Sequence, residues 1–475
     1  MRRRAGLVSV LVILTVLVAA CGSSGGRAAV PTATPKSLLG HSGRWLTDSN
    51  GQVVILHGLN MVYKRPPYSP VAAGFGTAAA KTLQNNGFTI VRLGIIYSAV
   101  EPQPGVFDER YISSLAATVD MLGRHGIYSL LDFHQDQMSV GFGGEGFPSW
   151  SVLTGGLPVQ PYPFPSGYTS SAALNHAFDA FWQDAPGPGG VGLQQRYVAA
   201  WQQVAHRFVN NPWVAGYDLF NEPWQAHSST AQLDKFYSRL IAGIRSVDRR
   251  HLIFYEPWAL FGLGQSTHLA SLGLPDLGMS FHDYAGAPTT PINNALAYAA
   301  RTGNALILSE FGSTDNYQTL QAVVSLADSH QLPWIEWAYC GCHDPTGSKP
   351  PSTEALVFDP AKPGTGTNVN QAKLAVLTEP YPRVVSGTPV SYSFDHNTHS
   401  FHLTYSTLSP AGHRFAEGST TSVIVPKLQY PSGYHVAVSG ARVLSRPGSS
   451  LLVLAQGARN TEVSLTLTPK TQEGT

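Results

Sequence analysis

Val214-Ala215-Gly216-Tyr217-Asp218-Leu219-Phe220-Asn221-Glu222-Pro223-Trp224 is the stretch from which the rest of the chain can be read. Residues 214–220 have the short apolar character of a buried strand, and at its end an amide and a carboxylate stand side by side before a proline that stops the ladder. Two readings are open here. Asn and Pro are common turn residues, so an ordinary strand exit would look the same. Alternatively Glu222 is a catalytic acid oriented in a cleft, with Asn221 holding a substrate hydroxyl. The choice depends on partners elsewhere.

Similar runs lie on both sides: 53–59, 89–93 and 127–133 before this stretch, and 252–255, 277–281, 305–308 and 333–338 after it. Helix-like segments separate them, at 78–86, 109–125, 194–209, 230–247, 292–302 and 317–329. Near-continuously apolar strands that alternate with helices imply an α/β fold with a parallel sheet covered on both faces, and eight such units point to a (β/α)8 TIM barrel. An open doubly wound sheet is the competing topology. No Gly-rich phosphate fingerprint follows the first strand, which weighs against it.

A barrel places its active site where the strands end. The first run leads through His57-Gly58-Leu59-Asn60 to Lys64, the second carries Arg92, and the third ends Asp132-Phe133-His134-Gln135-Asp136. The fourth ends in Asn221-Glu222, the sixth in His282-Asp283-Tyr284, the seventh in Ser309-Glu310-Phe311-Gly312, and the eighth carries Trp337. Each has a bland reading alone, His134 as a satisfied core histidine and Trp337 as core. Seven strands ending alike is hard to explain by packing. Retaining glycoside hydrolysis needs two carboxyl groups about 5–5.5 Å apart, one protonating the leaving oxygen and one attacking the anomeric carbon. Strands four and seven face each other across a barrel mouth and can deliver Glu222 and Glu310. Arg92 is expected to keep Glu310 ionised, Tyr284 to hydrogen-bond it, and Glu222 to hold the proton.

Arg92, His134, Asn221-Glu222-Pro223, His282 with Tyr284, Glu310 and Trp337 together resemble glycoside hydrolase family 5, over residues of about 40–375. The resemblance implies retention of configuration, with Glu222 as acid/base and Glu310 as nucleophile. Further stretches resemble the family's endoglycoceramidase subgroup, which releases the intact glycan from the ceramide of glycosphingolipids. These are His57-Gly58-Leu59-Asn60 with Lys64, the run from Asp132 to Asp136, Gly144-Glu145-Gly146-Phe147-Pro148-Ser149-Trp150, and Asn221-Glu222-Pro223-Trp224. By that resemblance Lys64 and Asp136 bind the sugar nearest the scissile bond. The subgroup continues with Pro-Gly after Asn-Glu-Pro-Trp, whereas this chain has Gln225-Ala226. An endo-β-glucanase, β-mannanase or β-glucosidase would share Glu222 and Glu310, and a glycolipid-binding lipoprotein without catalysis is the reading from another class.

The connection 139–190 is long and rich in Gly, Pro and aromatics, and such loops are usually functional or disordered. Phe142, Phe147, Trp150, Tyr162, Phe164 and Tyr168 either wall an apolar groove for a lipid aglycone or bury one another. Past residue 375 the period changes to two, with segments at 391–394, 400–405, 421–425, 435–438, 451–454 and 461–467 separated by turn residues, as in an antiparallel β-sandwich. Near the N-terminus, 44–48 and 52–56 flank Ser49-Asn50-Gly51, a hairpin signal suited to plugging a barrel floor.

Arg2-Arg3-Arg4 and the apolar run 7–20 read as an export signal. Its end, Val18-Ala19-Ala20-Cys21-Gly22, resembles a bacterial lipobox, in which the cysteine is lipidated; a plainly cleaved signal is the alternative. The expected organisation is therefore a signal over 1–21, a flexible tether over 22–37, a catalytic barrel over 38–375 and a sandwich over 376–475. That makes an exported, membrane-anchored lipoprotein facing outward, monomeric, with no cofactor and no metal. A formal net charge of +1 leaves no field for nucleic acid. Cys340 and Cys342 either close a small disulfide or, with His343, hold a metal.

Overall fold

The computed structural model describes residues 37–285, 290–347 and 352–470. The signal reading, and the tether reading up to residue 36, lie outside the described residues. Eight parallel strands close into a barrel in chain order: His57–Met61, Ile90–Ile96, Tyr128–His134, Val214–Asp218, Ile253–Tyr255, Leu277–Asp283, Ala305–Phe311 and Trp334–Glu336. Every residue in all eight is buried. Inner faces meet in the barrel core and outer faces meet helices, so the sequence carries no alternation and reads as apolar runs.

The helices close the outer layer through one apolar stripe each. Glu109–Arg124 is typical: Asp108 caps it by accepting from the backbone N–H groups of Arg110 and Tyr111, and Tyr111, Ile112, Leu115, Val119 and Leu122 are buried. The open-sheet alternative is removed by the pairing of Ala305–Phe311 with Trp334–Glu336 and of that strand with the first, His57–Met61.

Two antiparallel sheets are built mainly from residues after the barrel, and three strands before it join one of them. One orders its strands as Gly40–Ser42, Trp45–Thr47, Val53–Val54, Tyr381–Val385, Thr420–Ile424, Leu451–Gln456 and Ala441–Val443; the other as Thr388–Asp395, Ser400–Ser406, Glu462–Pro469 and Tyr434–Ser439. Their facing residues, among them Tyr392, Phe401, Leu403, Val423, Leu454 and Leu465, form a core separate from the barrel's. Six of these strands occupy the six period-two segments.

Two expectations need correction. The apolar run 53–59 is not one barrel strand. Val53 and Val54 pair with Val385 and Val384 in the sandwich, Ile55 N–H donates to Arg383 O, and barrel pairing starts only at His57. The N-terminal hairpin therefore belongs to the sandwich sheet, although Leu306 N–H donates to Arg44 O at the barrel floor. Residues on both sides of the handover are apolar, so composition alone hides it. The connection after the third strand also contains a helix, Ala172–Trp182, capped by Ser171. Phe142, Phe147 and Tyr168 in that connection are buried in the barrel core, whereas Phe164 is exposed.

Gly58 in the first barrel strand shows how close the backbones approach: an added Cβ would sit 1.9 Å from Ile90 O, a backbone atom of the neighbouring strand. Gly58→Ala is expected to cost about 2–4 kcal/mol of stability, since neither strand can move away. Denaturant unfolding monitored by tryptophan fluorescence reads this as a lowered midpoint.

Candidate active site

Arg92, wholly buried on the second barrel strand, organises the barrel mouth. Its Nε donates to Asp218 Oδ2 (2.8 Å), its Nη1 to Glu310 Oε2 (3.0 Å), and its Nη2 to Asn221 Oδ1 and Glu256 Oε1 (both 3.0 Å). Asp132 Oδ1 lies 3.0 Å from Nη2. Four carboxylates surround one guanidinium, which a planar five-donor fork can satisfy and an ammonium could not. These neighbours outweigh burial and hold Arg92 cationic.

Glu310 ends the seventh strand. It accepts from Arg92 at Oε2 and from Tyr284 Oη at Oε1 (2.7 Å). Glu222 follows the fourth strand, and its Oε1 lies 2.9 Å from His282 Nδ1. A carboxylate oxygen of Glu222, a ring nitrogen of His282 and a carboxylate oxygen of Glu310 all lie within 4.8 Å of one another. That spacing belongs to the retaining arrangement and is too short for the inverting one, which needs about 6.5–9.5 Å to admit a water. Arg92 and Tyr284 hold both Glu310 oxygens, and with His282 they oppose the rise that burial imposes on this carboxyl.

The backbone at Glu222 is unusual. Its φ is +44°, a left-handed conformation that a side chain with Cβ adopts only where the surroundings enforce it. Glu256 Oε2 accepts the Glu222 N–H (2.9 Å), and Gln135 Nε2 donates to the carbonyls of both Asn221 and Glu222 (3.0 Å each). Asn221 Nδ2 spends one N–H on Gln135 O (3.0 Å), and a primary amide carries a second for a substrate hydroxyl.

A second group of polar residues adjoins the first. Lys64 Nζ donates to Asp136 Oδ2 and Thr346 Oγ1, with Asp344 Oδ2 at 2.8 Å, and sits 4.5 Å from the centre of the Trp337 ring. Trp337 stacks on His134 and donates from Nε1 to Glu354 Oε2 (3.0 Å). His134 Nδ1 faces Asp132 Oδ2 at 2.7 Å, and burial pushes this imidazole well below its ordinary range, so the ring is neutral. All ten sequence-derived site residues thus meet at one end of the barrel: Lys64, Arg92, His134, Asp136, Asn221, Glu222, His282, Tyr284, Glu310 and Trp337. His134, Asp136 and Glu145 also bring ligand atoms within 4.8 Å of each other, but Lys64 already supplies a cation to Asp136. Cys340 and Cys342 are disulfide-bonded to each other, which takes both sulfurs out of the thiolate form a metal requires and closes the metal reading left open for them with His343.

Residues 47–342 match the family model described as cellulase (glycosyl hydrolase family 5), and residues 380–468 match the model of the glycoside hydrolase family 5 C-terminal domain. The chain belongs to glycosyl hydrolase family 5. Among known family 5 relatives, endoglycoceramidase I of Rhodococcus hoagii (strain 103S) is 27% identical over 467 residues, covering 90% of this chain and 87% of that protein. An endoglycoceramidase of Cyanea nozakii is 26% identical over 448 residues, covering 83% and 85%. The solved structure of endo-glycoceramidase II from Rhodococcus sp. as its lactosyl-enzyme intermediate superposes with a TM-score of 0.75 at 26% identity, covering 90% of this chain and all of that one.

Sequence reading passes over three acids in this family 5 site. Glu256 carried a readable signal, because Tyr255-Glu256-Pro257-Trp258 repeats the Glu-Pro-Trp order of Glu222-Pro223-Trp224 at the end of the next strand. Asp218 is an acid inside an apolar run, a polar residue in need of a buried partner. Asp344 lies on the irregular segment after the eighth strand, and no periodicity points to it.

Burial, and next the Glu222 carboxylate, push Glu310 up to about 7, against His282, Arg92 and Tyr284, which draw it down. Burial also pushes Asp132 and Asp218 up to about 7. A carboxyl raised in the folded state contributes stability that is complete below its ordinary value of 4.5 and is lost as pH rises through about 7. Glu310→Gln removes that loss. The melting temperature of this variant relative to the native hydrolase is expected to climb between about pH 5 and pH 8; a gap that stays constant across that window would show that Glu310 is not raised.

Proposed function

We propose that this chain is an endoglycoceramidase-type retaining hydrolase that cuts the β-glycosidic bond between the glycan and the ceramide of glycosphingolipids. The observation that carries the chemistry is the pairing of Glu222 and Glu310, with oxygens within 4.8 Å across the barrel mouth. Support for the glycolipid substrate comes from the endoglycoceramidase relatives, which match along both the barrel and the C-terminal sheets.

In the first step Glu310 attacks the anomeric carbon while Glu222 protonates the departing ceramide oxygen. Arg92 and Tyr284 hold the Glu310 oxygens in place, so the attacking lone pair is fixed before the sugar arrives. The glycosyl-enzyme ester is then opened by water, whose proton returns to Glu222. Configuration is retained through two inversions. Trp337 forms an apolar floor for a sugar ring, and Lys64, His134, Asp136 and Asn221 offer donors and acceptors to its hydroxyls. No step calls on a group beyond these side chains.

An endo-β-glucanase, β-mannanase or β-glucosidase would use the same pair of carboxyls, and substrate range separates the readings. Purified protein is expected to release intact lactose from lactosylceramide in detergent, with kcat/KM at least about 100-fold above that on cello-oligosaccharides. Cleavage of the soluble oligosaccharides alone would overturn the glycolipid assignment.

We also read residues 1–21 as a lipoprotein signal, which makes Cys21 the membrane attachment point of an exported monomer. Among the described residues no helix is long and apolar enough to cross a membrane. Cys21→Ala is expected to move the protein from the membrane to the soluble fraction of a bacterial host. Unchanged partition would remove Cys21 as the anchor.

A further inference from the structure

We infer that Glu256 is a positioning residue for acid/base catalysis, acting through His282 and through the backbone of Glu222; this rests on the reading of Glu222 as acid/base. Glu256 directly follows the fifth barrel strand, Ile253–Tyr255, and is 2% exposed. Its two oxygens do separate work. Oε2 accepts the Glu222 N–H at 2.9 Å. Oε1 accepts from Arg92 Nη2 at 3.0 Å and lies 3.2 Å from His282 Nε2.

The first contact addresses the left-handed backbone at Glu222. With φ at +44°, residue 222 would relax toward ordinary strand or helix geometry and swing its carboxyl away from the sugar. Glu256 fixes its N–H and Gln135 its C=O, so the peptide groups on both sides of the strained Cα are held.

The second contact makes a chain of three groups, Glu256, His282 and Glu222, joined at 3.2 and 2.9 Å. Every charged neighbour of His282 enters the balance. Glu222 faces Nδ1; Glu256 at 3.2 Å and Glu310 at 3.7 Å face Nε2. Arg92 binds Glu256 and Glu310 from the second strand, Asp132 lies within electrostatic reach, and Tyr284 packs edge-on against the ring. The Glu256 and Glu310 carboxylates facing Nε2 favour the imidazolium, which donates from Nδ1 to Glu222. As Glu222 passes its proton to the leaving oxygen it becomes an anion beside a fixed cation. That hydrogen bond strengthens only as the reaction proceeds, which is the condition for lowering a barrier. Glu256 and His282 exchange no proton in the cycle.

The test uses two substrates with one glycan, 2,4-dinitrophenyl β-lactoside, whose leaving group needs no proton, and an alkyl β-lactoside, whose leaving group does. Glu256→Gln keeps an oxygen for the Glu222 N–H and removes the charge facing His282. It is expected to lower kcat/KM on the alkyl substrate by about 10–100-fold while changing that on the dinitrophenyl substrate by no more than about threefold. The ratio of the two is independent of how much of the sample is folded, so a poorly folding variant still answers. Glu256→Asp, which keeps the charge, should recover part of the activity lost on the alkyl substrate. Equal losses on both substrates, or no loss on either, would overturn the inference. Glu222→Gln measured alongside separates the two levels of the argument. If that variant lacks the leaving-group contrast, the acid/base reading fails and the role of Glu256 falls with it; if it shows the contrast and Glu256→Gln does not, only the role of Glu256 fails.

Discussion

A single buried guanidinium sets the constraint on which the barrel mouth depends. Arg92 has no exposure, and its donors reach side chains from the third, fourth, fifth and seventh strand ends: Asp132, Asp218 with Asn221, Glu256 and Glu310. Taking a cation and four acids out of water costs several kcal/mol per ion, and their attraction offsets this only where geometry and hydrogen bonding are complete. Burial pushes Asp132 and Asp218 up to about 7 against the pull of Arg92, which is where that cost appears. Such a hub contributes little net stability. What it does contribute is fixed distances between groups whose strands have no covalent reason to keep them.

The constraint also fits the division of labour proposed for the two carboxyls. Glu310 sits inside the network, tied by Arg92 and Tyr284, and its oxygens cannot rotate freely. Glu222 stands at its edge, 17% exposed at the side chain, with His282 as the group that fixes its carboxyl. A nucleophile benefits from immobility. An acid that must also serve as base to an incoming water benefits from access.

Much of this was legible in the chain because a parallel barrel buries both faces of every strand. Eight apolar runs are conspicuous, and the polar residues at seven of their ends stand out against them, as Asn221, Glu222 and Glu310 do. What stayed hidden follows from the same physics. The passage from Val53–Val54 in the sandwich to His57–Met61 in the barrel is apolar throughout, so nothing marks the handover. The helix Ala172–Trp182 lies in a stretch punctuated by Gly and Pro, and its aromatics pack into the barrel core, which imitates loop composition. The backbone twist at Glu222 has no sequence signature, since the clamp comes from Gln135 and Glu256, one on each neighbouring strand end.

The handover between the two sheets has a mechanical side. Only Ile55 and Leu56 separate the strand that pairs with Val384 and Val385 from the strand that begins at His57 and leads to Lys64. Ile55 is packed in the sandwich core and Leu56 in the barrel core. The C-terminal sheets are thus woven into the base of the catalytic domain by its own leading strand rather than hung from its end. Cutting the chain near residue 380 would leave the barrel with a stub of foreign sheet, Val53 and Val54 without the strand they pair with.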